Sequence, residues 1–257
     1  MKTAREAKAK PAREAKAKPV RAVPTLAAIR AELQTLGDPV RGTHSQRFFK
    51  TGPGQYGEGD QFLGLTVPEM RGIVRKYREL HDAAVLKLLS SSWHEERLVA
   101  LLLMVEAYDR GDDLRRAHIH RAYLANTTHI NNWDLVDATA GDIVGQHLEA
   151  GDITLLERLA RSESLWERRI AIVSTFHFIK RNELRPTLKI ATLLLRDSQD
   201  LIHKATGWML REVGKRDRTV LDRFLKKHYK GMPRTMLRYA IERHPQRVRR
   251  QYLAGTI

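Results

Sequence analysis

The 257-residue sequence contains no cysteine. That absence excludes disulfides, thiolate nucleophiles, zinc fingers and thiolate-held iron–sulfur clusters. It also lacks any stretch of about 18 apolar residues, the minimum for a membrane-spanning helix. The N-terminus is basic but is not followed by the apolar core of a signal peptide, so cytoplasmic residence is the expectation. Aromatic side chains make up only 7% and include four tryptophans, too few for a continuous base-stacking track. Net negative charge is missing as well: 46 Lys and Arg face 30 Asp and Glu, for a formal charge of +16. What the chain does have is 42% hydrophobic residues, enough for a buried core in one large domain or two small ones, which argues against a wholly disordered protein.

The location of the charge is more informative than its size. Residues 1–24 carry eight Lys/Arg against two Glu, and residues 215–250 carry thirteen against three acids, net +6 and +10. The middle, 25–214, balances at 25 against 25. A nucleic-acid phosphate backbone is the commonest partner for such a distribution, with affinity that falls steeply as salt rises. Within the first segment the octad Ala-Arg-Glu-Ala-Lys-Ala-Lys-Pro runs from Ala4 to Pro11 and again from Ala12 to Pro19. With no large apolar residue to bury, residues 1–24 read as a disordered basic arm preceding a domain over 25–257.

From Thr25 onward the period is helical. Leu26, Ile29, Leu33 and Leu36 mark one face, and Met70, Ile73, Val74 and Tyr77 another. Thr66 with Glu69, Ser92 with Glu95, and Ser164 with Glu167 each fit the capping box, in which a hydroxyl and a carboxylate satisfy free backbone N–H groups reciprocally. No long run alternates with period two. Helices are predicted in pairs: 82–90 with 93–109, 113–124 with 133–148, 152–161 with 165–180, 184–196 with 199–214, and 218–229 with 233–243. The second helices recur at intervals of 40, 32, 34 and 34 residues. That period predicts an all-α array of stacked helical repeats with an extended concave surface. Thr51–Asp60, with four glycines and a proline, breaks the pattern and reads as a structural loop, with DNA contact as the lesser option. It lacks the Lys-Ser/Thr of a phosphate-binding P-loop.

The segment Asn131-Asn132-Trp133-Asp134-Leu135-Val136-Asp137 places Trp133 and Asp137 on one helical face, one turn apart. On this stretch alone the plainer reading is a packing tryptophan and a solvated or capping acid. Tryptophans then recur at 93, 133, 166 and 208 near or within successive second helices. Trp93 and Trp166 are expected to anchor the core between repeats. His118 and His120 are two apart on a helix and point in different directions, so no metal site is expected there. His94-Glu95-Glu96 is not the zinc-protease motif, and no nucleophile elbow is present.

Three motifs in order resemble the AlkD-like bacterial DNA alkylation repair glycosylases, which are built from HEAT-like helical repeats: Asn132 to Asp137, Leu165-Trp166-Glu167-Arg168-Arg169-Ile170-Ala171-Ile172, and His203 to Glu212. The resemblance spans roughly residues 40–245. It implies that Asp137 is the catalytic aspartate and that Trp133, Arg169 and Trp208, with Arg211 of the last motif, line the concave surface against the DNA backbone. It implies hydrolysis of the N-glycosidic bond of cationic alkylated purines such as 3-methyladenine and 7-methylguanine in duplex DNA, by a monofunctional, monomeric enzyme without metal or organic cofactor. Such a base already carries positive charge and needs no general acid to depart. One carboxylate that steadies the oxocarbenium-like sugar and positions a water then suffices. A noncatalytic DNA-binding scaffold of the same fold and a helical-repeat adaptor for an acidic protein remain open as alternatives.

Overall fold

The computed structural model describes residues 24–148 and 152–257. The expected basic arm, Pro24 aside, lies outside the described residues. Three helices open the domain: α1 (Leu26–Leu36), α2 (Pro39–Phe48) and α3 (Val67–Tyr77). Helix pairs follow: α4 (Asp82–Leu89) with α5 (His94–Arg110), and α6 (Asp113–Ala125) with α7 (Trp133–Asp137). Next come α8 (Thr154–Leu159) with α9 (Leu165–Ser174) and its continuation α10 (Phe176–Lys180), then α11 (Arg185–Leu193) with α12 (Asp200–Arg216). The last pair is α13 (Arg218–His228) with α14 (Arg234–Ala240), and α15 (Gln246–Ala254) closes the chain. Among the described residues the only β pairing is a single bridge between Gln61 and Trp93. The chain is therefore all-α and folds as an array of helix pairs. No described helix is long and apolar enough to cross a membrane.

The predicted faces become the core. Ile29 and Leu33 are fully buried, as are Met70, Ile73, Val74 and Tyr77 to within a few per cent. One continuous hydrophobic cluster runs from Ile29 to Tyr252, so each pair is sealed by its neighbours rather than by itself. Trp93, Trp166 and Trp208 are all partly buried against this cluster.

Local signals explain most helix starts. Thr66 and Glu69 form the full capping box, and the Ser164 hydroxyl accepts from Glu167 N while the Glu167 carboxylate turns away to Thr127 Oγ1. At Ser92 the structure corrects the expectation. Trp93 is the N-cap of α5, and the Glu95 carboxylate instead accepts the backbone N–H groups of Leu63, Gly64 and Leu65 at 2.9, 2.7 and 3.3 Å. Three backbone donors in the interior outcompete one at the helix start, because unpaired buried N–H groups are costly.

Two long second helices are also interrupted. The stretch predicted as one helix over 133–148 ends as α7 at Asp137 and resumes as a widened π turn over Gly141–Gly145. Gly145 lies so close to α9 that a Cβ there would sit 2.3 Å from Ser174 O. The facing helix breaks at Thr175, whose hydroxyl donates to Ile172 O at 2.6 Å, and Ser174 Oγ donates to Ala140 O at 3.2 Å. The two breaks thus pack against each other just behind α7. Gly207 has a related role in α12: a Cβ there would meet Met236 O and Tyr239 Cβ at 2.5 Å, so glycine permits α12 and α14 to close on each other next to Trp208.

Candidate active site

The second helices α7, α9, α12 and α14 line one side of a cleft, and the end of α2 with the Gly-rich loop closes the other. Its volume of about 730 Å³ lies within the roughly 300–1,000 Å³ of ligand-binding clefts, and it is open to solvent. Trp133, Asp137, Arg169, Trp208 and Arg211, drawn from three sequence motifs, all line it. Three successive second helices, α7, α9 and α12, bring them together.

Asp137 projects from the last residue of α7. Its side chain is 18% exposed and is gripped by Arg169, with Nε to Oδ1 at 2.9 Å and Nη2 to Oδ2 at 2.7 Å. Arg169 is buried and its Nη1 donates to Leu201 O at 2.6 Å. The guanidinium expected to meet a phosphate is thus occupied, in this structure, with fixing the aspartate. Burial pushes the Asp137 carboxyl above its ordinary pKa; Arg169 opposes that shift, and the negative charge of Asp134 adds to it. The result is a carboxylate held in one orientation at the cleft floor, poorly solvated and open to a developing positive charge.

Trp133 is positioned from both sides. Asn132 caps α7 by accepting Trp133 N at 2.8 Å, and the indole stacks on Phe49 at 5.4 Å with Phe48 edge-on at 6.0 Å. Its Nε1 donates to the Tyr56 hydroxyl at 3.2 Å. Tyr56 belongs to the Gly-rich loop, which therefore supplies part of the cleft wall and is more than a connection. Phe48 is 59% exposed at the rim, and Lys50 lines the cleft with a left-handed backbone (φ 54°), a conformation that costs a lysine about 1 kcal/mol. On the opposite wall Lys204 pairs with Asp200 at 2.8 Å, Arg211 with Glu242, and Trp208 lies tilted against Phe176 at 6.0 Å.

Behind α7 lies a second, closed cluster. Asp134 Oδ2 is 2.7 Å from His94 Nε2, His94 Nδ1 is 3.5 Å from Asp60 Oδ2, and Asp60 Oδ1 is 2.7 Å from Arg97 Nη2. Asn132 Nδ2 also donates to Asp60, at 3.3 Å. Burial alone would push the His94 imidazole down, but the hydrogen bond and charge of Asp134, aided by Asp60, raise it to about 9. Burial likewise pushes Asp60 up, and His94 with Arg97 holds its carboxyl below the usual range.

None of the Lys and Arg residues of the basic segment 215–250 lines this cleft. Arg223, Lys227 and His228 of α13 join Arg185 and Lys189 of α11 along a separate groove on the layer of first helices. The cleft draws its cations mainly from the charge-balanced middle: Lys50, Arg169, Lys204 and Arg211. His118 and His120 do diverge, His118 to Asp82 at 3.2 Å and His120 into a stack on His147 at 4.0 Å. Among the described residues no group of three or more His, Asp or Glu converges as a metal-ligand set.

A family model described as DNA alkylation repair enzyme matches residues 29–244, most of the chain and all of the cleft. The chain belongs to the DNA alkylation repair enzyme family. A solved structure titled "Predicted DNA alkylation repair enzyme from Enterococcus faecalis" superposes with a TM-score of 0.62 over 82% of this chain and 97% of that one, at 16% identity. At that identity the likeness is one of fold. A search among curated proteins finds no match. A DNA repair role follows from the family. The participants that motif reading missed in this family member are Phe48, Lys50, Tyr56, Lys204 and Tyr239 in the cleft, and Asp60 and His94 behind it. Lys204 lay inside the third motif, and for Tyr56 the sequence signal was the glycine content of the loop, which allows it to reach Trp133 across 77 positions.

Proposed function

We propose that this family member is a monofunctional DNA glycosylase of the AlkD-like type, its HEAT-like repeats cradling duplex DNA and its cleft hydrolysing the N-glycosidic bond of cationic alkylated purines. The observation that carries the reading is the Asp137 carboxylate, clamped by Arg169 at the floor of a cleft walled by Trp133, Tyr56 and Trp208. In N3- or N7-alkylated purines the glycosidic bond is already weakened by the positive charge of the base. As it breaks, positive charge moves onto the sugar, and Asp137 stabilises it and orients the attacking water. Arg169 keeps the carboxylate ionised and aimed, a positioning task that leaves the phosphates to Lys50 and, on exchange of their pairings with Asp200 and Glu242, to Lys204 and Arg211. Indole and phenol faces suit the sugar edge and the cationic base.

The test is release of 7-methylguanine or 3-methyladenine from methylated duplex under single-turnover conditions. The expected result is excision by the native protein, and a loss of at least about a hundredfold in Asp137→Asn, roughly 3 kcal/mol of transition-state stabilisation, with duplex affinity retained. Duplex binding without release of either base would leave a noncatalytic scaffold. Unchanged excision in Asp137→Asn would remove Asp137 from the catalytic role.

A further inference from the structure

His94 is the first residue of α5 and is 2% exposed, far from the expected behaviour of an ordinary surface histidine. Its ring is sandwiched between Phe62 at 4.7 Å and Phe49 at 4.9 Å, so it cannot turn freely. Each ring nitrogen faces a carboxylate: Nε2 meets Asp134 at 2.7 Å and Nδ1 faces Asp60 at 3.5 Å. Nε2 is hydrogen-bonded, whereas Nδ1 is buried at ion-pair distance without a hydrogen bond; a neutral imidazole would turn a lone pair toward one of the two acids, and the imidazolium turns a positive N–H toward each. The carboxylates belong to the two segments that build the cleft floor. Asp60 ends the loop that carries Tyr56, and Asp134 sits between Trp133 and Asp137 on α7. Phe49, which packs against His94, also stacks on Trp133 at 5.4 Å.

We propose that His94 is a positioning residue, held as an imidazolium, that ties Asp134 to Asp60 and thereby sets Trp133 and Asp137 in register with Tyr56. The charged groups facing it are Asp134 from α7, Asp60 from the loop and Arg97 from its own helix; the other neighbours, Phe49, Phe62 and Asn132, are uncharged. A cation at a helix N-terminus is opposed by the helix dipole, so the two acids must outweigh both that and burial. They do so, raising the imidazole to about 9. The kinetic consequence rests on the glycosylase reading; the positioning itself does not.

The test uses the full chain and two variants. His94→Phe keeps the ring between Phe49 and Phe62 but has no donor, while His94→Gln restores a neutral N–H toward Asp134. In the native protein, nitrogen NMR of the His94 ring is expected to show both nitrogens protonated at pH 7.5, with loss of the proton near pH 9. In His94→Phe the indole N–H resonance of Trp133 shifts while that of Trp208 stays. The single-turnover excision rate falls at least about tenfold in the same variant, with duplex affinity within about threefold. His94→Gln recovers the rate to within about threefold near neutrality and no longer shows the native fall in rate above pH 9. A neutral native imidazole at pH 7.5, or an unmoved Trp133 resonance in folded His94→Phe, overturns the proposal. If His94→Phe does not fold, the native ring's protonation and the pH profile of His94→Gln decide. If the native protein excises nothing, the glycosylase reading falls and the two NMR measurements still decide the role of His94.

Discussion

Asp134 and Asp137 lie one turn apart on the same five-residue helix, yet they belong to different environments. Asp134 faces inward, toward a buried network of His94, Asp60, Arg97 and Asn132 that joins three segments. Asp137 faces the cleft and has one cationic partner, Arg169. The contrast shows how identical side chains divide labour. The two side chains are almost equally exposed, at 19% and 18%, so they differ in partners rather than in burial: Asp134 links α7 to the rear network through His94, whereas Asp137 lines the cleft with its two oxygens held by Arg169.

The sharpest way to break the comparison is to damage the rear network alone. Arg97→Met leaves Asp60 buried without its shortest ion pair and is expected to cost about 3–5 kcal/mol of stability, read as a lower denaturation midpoint in urea. A comparable stability loss without any change in Asp137 chemistry would separate the two regions; an unchanged midpoint would mean the network contributes little. Next is pH. Because the folded His94 pKa is raised from 6.5 to about 9, its contribution is fully present below pH 6.5 and is lost as pH rises through about 9. That difference corresponds to about 3 kcal/mol, so urea midpoints measured from pH 6 to 10 should fall across this window, and a flat profile would contradict it.

Asp137 gives the opposite pH signature. Its folded pKa is raised, so the ionised form is the one disfavoured by the fold, and this group becomes less destabilising as pH falls. On the proposed glycosylase reading excision needs the carboxylate, so the rate is expected to drop on the acid side with a midpoint above the ordinary aspartate value, a limb absent from whatever activity remains in Asp137→Asn. The smallest expected effect is at the rim. Lys50→Asn removes a cation while keeping a residue that tolerates the left-handed backbone, so stability should hold and the logarithmic salt dependence of duplex affinity should weaken by about one unit of slope. An unchanged slope would place Lys50 outside the phosphate path.

The helix pairs were legible because each apolar face repeats with the helical period and each pair needs its neighbours' burial; Met70, Ile73, Val74 and Tyr77 all point where their spacing says. The convergence of Trp133, Asp137, Arg169, Trp208 and Arg211 was implied by the resemblance of three motifs to the AlkD-like family, and all five line one cleft. The partners were not. Ser92 and Glu95 satisfied a local rule, but Glu95 found three backbone donors some thirty positions earlier. The helix expected over 133–148 broke where Gly145 meets Ser174 of another repeat. His94 looked like a failed metal motif until folding placed a carboxylate at each of its nitrogens.

The sequence by itself determined an all-α array and where its pairs begin, because period and caps act over a few residues; that Trp133, Asp137, Arg169, Trp208 and Arg211 share a surface was what the motif resemblance implied. Only the tertiary structure decided that Arg169 clamps Asp137, that Asp134 turns away to His94, that Tyr56 reaches Trp133, and that Arg223 and Lys227 of the basic C-terminal segment line another groove. Those outcomes depend on competition for hydrogen bonds and on electrostatics between groups thirty to eighty residues apart, and such partners are selected only when the pairs stack.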